Sequence, residues 1–174
     1  GVVGAVTANG IGIAGVANCL LMPIRAGLTF SQGGTFLQED DLAAGILYAV
    51  ENGANILNFS WGAPEKAFVL EDAVNIATLH GVTIVVAAGN SGDLPVSYPA
   101  SANGVITVGA VDAANRLASF SSIGPRVDLV APGVSILGPA LNNSYGIRSG
   151  TSFAAPQVSG LAAILLSKHP AWTS

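Results

Sequence analysis

The 174-residue sequence predicts an α/β fold, a mostly parallel sheet with helices on both faces. Three observations predict it. Segments with apolar residues at helical spacing alternate with short, continuous apolar runs, the pattern of buried strands joined by helical crossovers. The runs Val82–Ala88 and Val105–Val111 contain no charged residue, as strands covered on both faces require. Charged residues make up only 9% of the chain, against about a quarter in an average globular domain, so most of the chain is interior.

Gly1–Ala8 reads as the end of a small-residue helix, followed by a glycine-rich loop and an apolar strand at Leu20–Ala26. Ser31–Phe36 reads as a loop. Gln38–Asn52 is expected to be a helix because Leu42, Ile46, Ala49 and Val50 recur at helical spacing. Asp40 and Asp41 suit the positive end of its dipole, and Gly53 stops it. Ala54–Trp61 then reads as a strand, Ala67–His80 as a helix ended by Gly81, and Val82–Ala88 as a strand. After a loop at Ser91–Ala102 comes the buried strand Val105–Val111. Short strands at Val127–Ala131 and Val134–Leu137 flank Pro132-Gly133, and Leu141–Arg148 reads as part of a hairpin. A long apolar helix opens at Gly150 and runs to Ser167. No internal repeat, low-complexity tract or linker divides the chain, so one domain is expected.

The net charge of −4 and the few, scattered basic residues leave no electrostatic footprint for nucleic acid or an anionic membrane. Nothing charged precedes Arg25, but this stretch fails as a membrane span or signal peptide. It has no initiating Met and no basic start, and Asn9, Gly10, Gly12 and Asn18 interrupt it. Cys19 is the sole cysteine, which excludes an internal disulfide or a Cys-based metal cluster, and a buried free thiol is expected. Gly10-Ile11-Gly12-Ile13-Ala14-Gly15 matches a dinucleotide-binding fingerprint. Pro23 stops a following helix early, however, and Phe36 stands where an acidic residue is needed, so nucleotide binding is set aside.

The residues with chemistry to offer lie at the last helix. Ser152, within Gly150-Thr151-Ser152-Phe153-Ala154-Ala155-Pro156, has its hydroxyl and N–H at the positive end of a helix dipole, where an acyl-transfer nucleophile would sit. The same residues also suit a plain helix cap by Thr151 or Ser152, with Pro156 tolerated in the first turn. Asn90, after the apolar strand, suits either an amide donor to an oxyanion or an Asn-Ser-Gly turn.

Together with Asn58-Phe59-Ser60-Trp61-Gly62, Val85-Val86-Ala87-Ala88-Gly89-Asn90, Ala118-Ser119-Phe120-Ser121-Ser122 and Ala131-Pro132-Gly133, the serine segment resembles the subtilases, the subtilisin-like serine peptidases. The match runs in order along essentially the whole chain. It implies a subtilisin-like three-layer fold in which residues 1–174 are a partial catalytic domain, incomplete at both ends. It also implies a serine endopeptidase that works through a Ser152 acyl-enzyme, with Asn90 and the Ser152 N–H forming the oxyanion hole. Ser60, Trp61 and Gly62 on one side, and Ala87, Ala88 and Gly89 on the other, are implied as walls of the primary specificity pocket, with Ser97 at its base. A peptide or protein substrate would lie between them as an added strand. Core packing is the alternative role for Trp61. No carboxylate is plainly placed in these walls, which argues for an apolar or broad preference; Glu65 and Asp93 are the nearest in sequence.

In subtilases the triad order is Asp, His, Ser. The resemblance therefore implies that Asp and His lie upstream of Gly1, that a missing N-terminal segment is this chain's partner, and that the chain alone is inactive. His80 and His169 read as helix C-terminal residues, too far away to substitute. No cofactor is required for catalysis. Structural calcium at the first loop is admitted, with Asn9 as one ligand and a carboxylate upstream as another. A secreted or extracytoplasmic location is implied as well. Phe153 replaces the family's usual methionine and Gln157 its histidine, and neither change removes a catalytic atom. Two other functions remain. One is a non-catalytic or degenerate subtilase portion that binds peptides or a complementary chain. The other is an α/β-hydrolase esterase, disfavoured because Ala154 stands where the second glycine of its G-x-S-x-G motif belongs.

Overall fold

A computed structural model of the chain describes residues 1–29, 35–63, 65–92 and 94–172. Its elements in chain order are β1 (Gly27–Thr29), β2 (Thr35–Leu37), α1 (Glu39–Glu51), β3 (Ile56–Phe59), α2 (Phe68–Leu79), β4 (Thr83–Ala87), β5 (Val105–Val111), β6 (Leu129–Pro132), β7 (Ile136–Ala140), β8 (Ser144–Arg148) and α3 (Thr151–Lys168). β3, β4, β5 and β6 form one parallel sheet in that order. β1 pairs with β2, and β7 with β8, as separate antiparallel ribbons.

The two faces of the sheet follow from strand alternation. Leu57, Phe59, Ile84 and Val86 pack with Leu42 and Ile46 of α1 and Leu70, Val74 and Ala77 of α2. Val85, Ala87, Val108 and Ala110 pack with Ala154, Ala155 and Val158 of α3. Leu70 and Val74 are fully buried, each contributing about 1.5–3 kcal/mol relative to exposure. Both covering helices end alike. Ala54 N–H donates to Ala49 O at 2.9 Å and Gly53 N–H to Val50 O at 3.1 Å, while Val82 and Gly81 repeat the arrangement at the end of α2. The closing glycines have φ of +78° and +73°, where a Cβ would be strained.

Three expectations need correction. Leu20–Ala26 is not a strand, and Leu20, Leu21, Met22 and Ile24 are exposed. A strand exists only where a neighbour takes up its N–H and C=O groups, and none does so among the described residues. Instead, a cavity of about 930 Å³ is bounded by this run, by α1, by β3 and by Ser159 and Ala163 of α3. Cys19 lines the same cavity and is half-buried, not a core thiol. Finally, part of the expected Ser31–Phe36 loop belongs to β2, and residues 31–34 lie outside the described residues.

Smaller differences are of length. Gly1–Ala8 is reduced to one helical turn, with Ala5 N–H donating to Gly1 O at 2.9 Å. The expected strand at Val134–Leu137 is displaced to β7, and β6 begins two residues later than expected and takes in Pro132. Pro132 is tolerated because β6 lies at an edge of the sheet.

Candidate active site

Parallel neighbours end on the same edge, so Ser60-Trp61-Gly62 after β3 and Ala88-Gly89-Asn90 after β4 emerge side by side. The start of α3 meets them there. Gly150, not a hydroxyl residue, occupies the N-cap with φ of +153°, and no side chain caps the helix. The cap explanation for Thr151 and Ser152 therefore does not hold. Ser152 is the second helical residue, and its Oγ donates to Ser60 O at 3.1 Å.

Pro156 is the sixth residue of α3, beyond the first turn where a proline is neutral. An ordinary residue there would donate its N–H to the carbonyl four positions back, which belongs to Ser152. Proline cannot, and Ser60 Oγ donates to Ser152 O at 3.0 Å in its place. Ser60 and Ser152 are thus joined by two reciprocal hydrogen bonds across the sheet edge. The connection continues inward: Asn58 Nδ2 donates to Ser60 Oγ at 2.9 Å, and Ser159 Oγ donates to Asn58 Oδ1 at 2.9 Å. Sequence reasoning assigned no role to Asn58 or Ser159. The available signal was Ser159 lying seven positions after Ser152, on the same helix face.

Asn90 faces α3 through its carbonyl oxygen. Oδ1 accepts the Thr151 N–H at 2.9 Å and the Thr151 hydroxyl at 3.1 Å. A backbone N–H can only donate, so the bonded atom is the amide oxygen and Nδ2 is turned the other way. Neither Nδ2 nor the Ser152 N–H has an acceptor among the described residues. Thr151, fully buried, also accepts the Gly89 N–H at 3.2 Å, so one side chain holds both the strand end and the asparagine.

The remaining expected site residues fall into two groups. Ala87 and Ala88 are buried and Gly89 is half-buried at the end of β4. A Cβ on Gly62 would lie 2.8 Å from Ser97 Oγ, which places Ser97 directly against that wall. The Ser60–Gly62 wall is tied to the Ser97 segment where Ala63 bridges to Tyr98. Trp61 is half-buried with its ring 5.0 Å from that of Phe59, packed against the core cluster under α1 and α2. Glu65 is exposed, and Asp93 lies outside the described residues. Beside Ser97, the phenol of Tyr98 is buried with no hydrogen-bond partner among the described residues. Burial, followed by Glu71 and Asp72, pushes its pKa up to about 12.

Both histidines stand away from Ser152. His80 follows α2 at the amino edge of the sheet. His169 closes the 18-residue α3 and stacks on Trp172 at 4.0 Å; at 1.5 Å per residue it is about 25 Å from Ser152. At the first loop, Asn9 Oδ1 accepts the Ile11 N–H at 3.0 Å, closing a local turn. Among the described residues no three of His, Cys, Asp and Glu gather as cation ligands.

Comparison with known proteins places this geometry in context. The model of the subtilase family matches residues 1–174. A thermophilic serine proteinase of Bacillus sp. (strain AK1) is 46% identical over 169 residues, covering 97% of this chain and 41% of that protein. Subtilisin DY of Bacillus licheniformis is 42% identical, covering 93% of this chain and 60% of its own length. Among solved structures, a protease from Pseudoalteromonas arctica PAMC 21717 aligns over 99% of this chain and 58% of its own, with a TM-score of 0.90 and 32% identity. The prenylagaramide maturation protease PagA aligns over 80% of this chain and 53% of its own, with a TM-score of 0.74 and 40% identity. The chain thus spans 41% to 60% of the length of these two sequence relatives.

Proposed function

The chain belongs to the subtilase family, and from that premise we propose that the whole protein is a serine endopeptidase in which Ser152 is the nucleophile. The observation that carries this is that Asn90 is bonded to Thr151, the residue beside Ser152, at the sheet edge where α3 begins. The amide of Asn90 is held by Thr151 through its oxygen, so that Nδ2 remains free to donate. In the proposed reaction Ser152 Oγ attacks the peptide carbonyl carbon and loses its proton to a base. The oxygen of the resulting tetrahedral intermediate accepts from the Ser152 N–H and Asn90 Nδ2, donors aimed at charge that exists only after attack. Collapse, with the base passing that proton to the leaving nitrogen, expels the amine and leaves an acyl-enzyme, which water hydrolyses with the same base taking the water's proton. The substrate lies between Ser60-Trp61-Gly62 and Ala87-Ala88-Gly89, and side-chain preference at the Gly62 and Ser97 floor is apolar or broad.

The base and its orienting carboxylate are proposed to come from an N-terminal segment outside residues 1–174. Two observations support a segment of the same domain. Neither histidine is near Ser152, and the cavity beside β3 leaves a strand edge facing an unpaired apolar run. Any calcium at the Asn9 loop would need oxygen ligands from that segment too. An extracytoplasmic location rests on family resemblance alone.

An active-site fluorophosphonate tests the proposal. It should label Ser152 in the whole protein, and Ser152→Ala should abolish both labelling and peptidase activity. Undiminished activity in that variant would overturn the assignment. The chain as given should be inactive on casein and prone to associate, with activity restored by the upstream segment. A second reading is a non-catalytic portion of the family that binds peptides or a complementary chain. Peptide binding by the whole protein without labelling would select it.

A further inference from the structure

The segment Ala118–Ser122 takes no part in the chemistry above, yet it clasps the turn that carries Asn90. Gly92 N–H donates to Phe120 O at 2.8 Å, and Ser122 N–H donates to Gly89 O at 2.9 Å. Ser122 Oγ accepts the Ser91 N–H at 3.3 Å. The hydroxyl of Ser122 therefore bonds the residue immediately after Asn90, while its backbone bonds the residue immediately before. Contact is close on the Gly89 side as well. Gly89 has φ of +109°, and a Cβ there would lie 2.9 Å from Ser122 Oγ.

The clasp is itself fastened to the sheet. Ser121 Oγ accepts the Ala110 N–H of β5 at 3.0 Å, and Ser121 and Ser122 are 1% and 2% exposed. Two grips therefore define where Asn90 stands. Thr151 holds its side-chain oxygen from the α3 side, and Ser122 holds the backbone of the flanking Gly89 and Ser91 from the β5 side. Without the second grip the amide could pivot about its bond to Thr151.

We propose that Ser122 is a positioning residue for the oxyanion hole, its hydroxyl fixing the Gly89–Ser91 backbone so that Asn90 Nδ2 meets the tetrahedral oxyanion. The inference rests on the oxyanion role proposed for Asn90. Hydrogen-bond donors in such a hole act through fixed geometry, and a displacement of about 1 Å can cost about a hundredfold in rate. Losing one uncharged hydrogen bond that sets the position is a smaller perturbation, worth about tenfold or less.

The test uses the whole protein, with rates expressed per active site titrated by fluorophosphonate so that the folded fraction cancels. Ser122→Ala should lower kcat about three- to tenfold with KM unchanged within about twofold. Affinity for a peptide boronate, which mimics the tetrahedral state, should fall by the same factor while affinity for a product peptide does not. In an Asn90→Ala background, Ser122→Ala should have no further effect on kcat, because its action passes through the lost amide. Should Ser122→Ala fold poorly, Ser122→Cys, of similar volume and a weak acceptor, carries the same expectation. Unchanged kcat in Ser122→Ala alongside a large loss in Asn90→Ala would overturn this inference alone. An equal further loss in the Asn90→Ala background would also overturn it, by showing a merely structural role. Intact kcat in Asn90→Ala would overturn the oxyanion reading and this inference with it.

Discussion

Replacing Ser60 with alanine isolates the consequence of placing a proline four residues after the proposed nucleophile. The Ser152 carbonyl has no helical donor because Pro156 lacks an N–H, and Ser60 Oγ supplies one at 3.0 Å. Ser60→Ala removes that donor. It also frees Asn58 Nδ2, but Asn58 is exposed and water replaces its partner at little cost. The expected loss is therefore set by the part-buried Ser152 carbonyl, about 1 kcal/mol, rising toward about 3 if no water reaches it. Pro156→Ala returns the missing N–H to the helix and offsets the loss of proline's restriction of the unfolded chain, itself about 0.4–1 kcal/mol. In that background Ser60→Ala should cost less than about 0.5 kcal/mol, because the helix now satisfies its own carbonyl. The assay is urea unfolding of the whole protein followed by tryptophan fluorescence, with every variant carrying Ser152→Ala to prevent self-digestion. Equal cost of Ser60→Ala in both backgrounds, within about 0.5 kcal/mol, would refute the substitution of Ser60 for the helical donor.

Four further outcomes are expected. Asn90→Leu should lower kcat by about 10²–10³-fold with little change in KM, the loss known for removing one such donor in subtilisin and not a figure derived from this structure; a loss carried wholly by KM would assign Asn90 to ground-state binding. Tyr98→Phe should stabilise the protein by about 1 kcal/mol, since the buried phenol has no partner among the described residues; a loss of stability would mean the hydroxyl is satisfied. The pH dependence has a definite sign. Because the Tyr98 pKa is raised from 10.0 to about 12, the fold favours the neutral phenol, and this contribution is present below pH 10 and lost as pH rises through about 12. Unfolding curves for Tyr98→Phe should therefore fall less steeply above pH 10 than those of the unsubstituted protein. Gly89→Ala should lower stability by about 1–3 kcal/mol in urea unfolding, through strain at φ of +109° and contact with Ser122 Oγ.

Local pattern by itself determined α1, α2 and α3, the buried strands β4 and β5, and the glycine stops at Gly53 and Gly81, because periodicity and backbone permissiveness are properties of neighbouring residues. For Ser152 and Asn90 the pattern marked only a place, and the roles proposed for them came from the family resemblance. Each follows or opens an element whose end the pattern marks, and the ends of parallel strands share one edge. Tertiary structure alone decided what those residues touch. Ser152 meets Ser60 across 92 positions of chain, and Asn90 meets Thr151 across 61. No local period encodes which wall carbonyl or hydroxyl will arrive there. Pro156 looked neutral in sequence, and only the sheet edge beside it revealed that its missing N–H is answered by Ser60. Leu20–Ala26 makes the same point in reverse. Its composition is that of a strand, but pairing belongs to two segments at once, and an apolar run without a neighbour to take its N–H and C=O groups is not a strand.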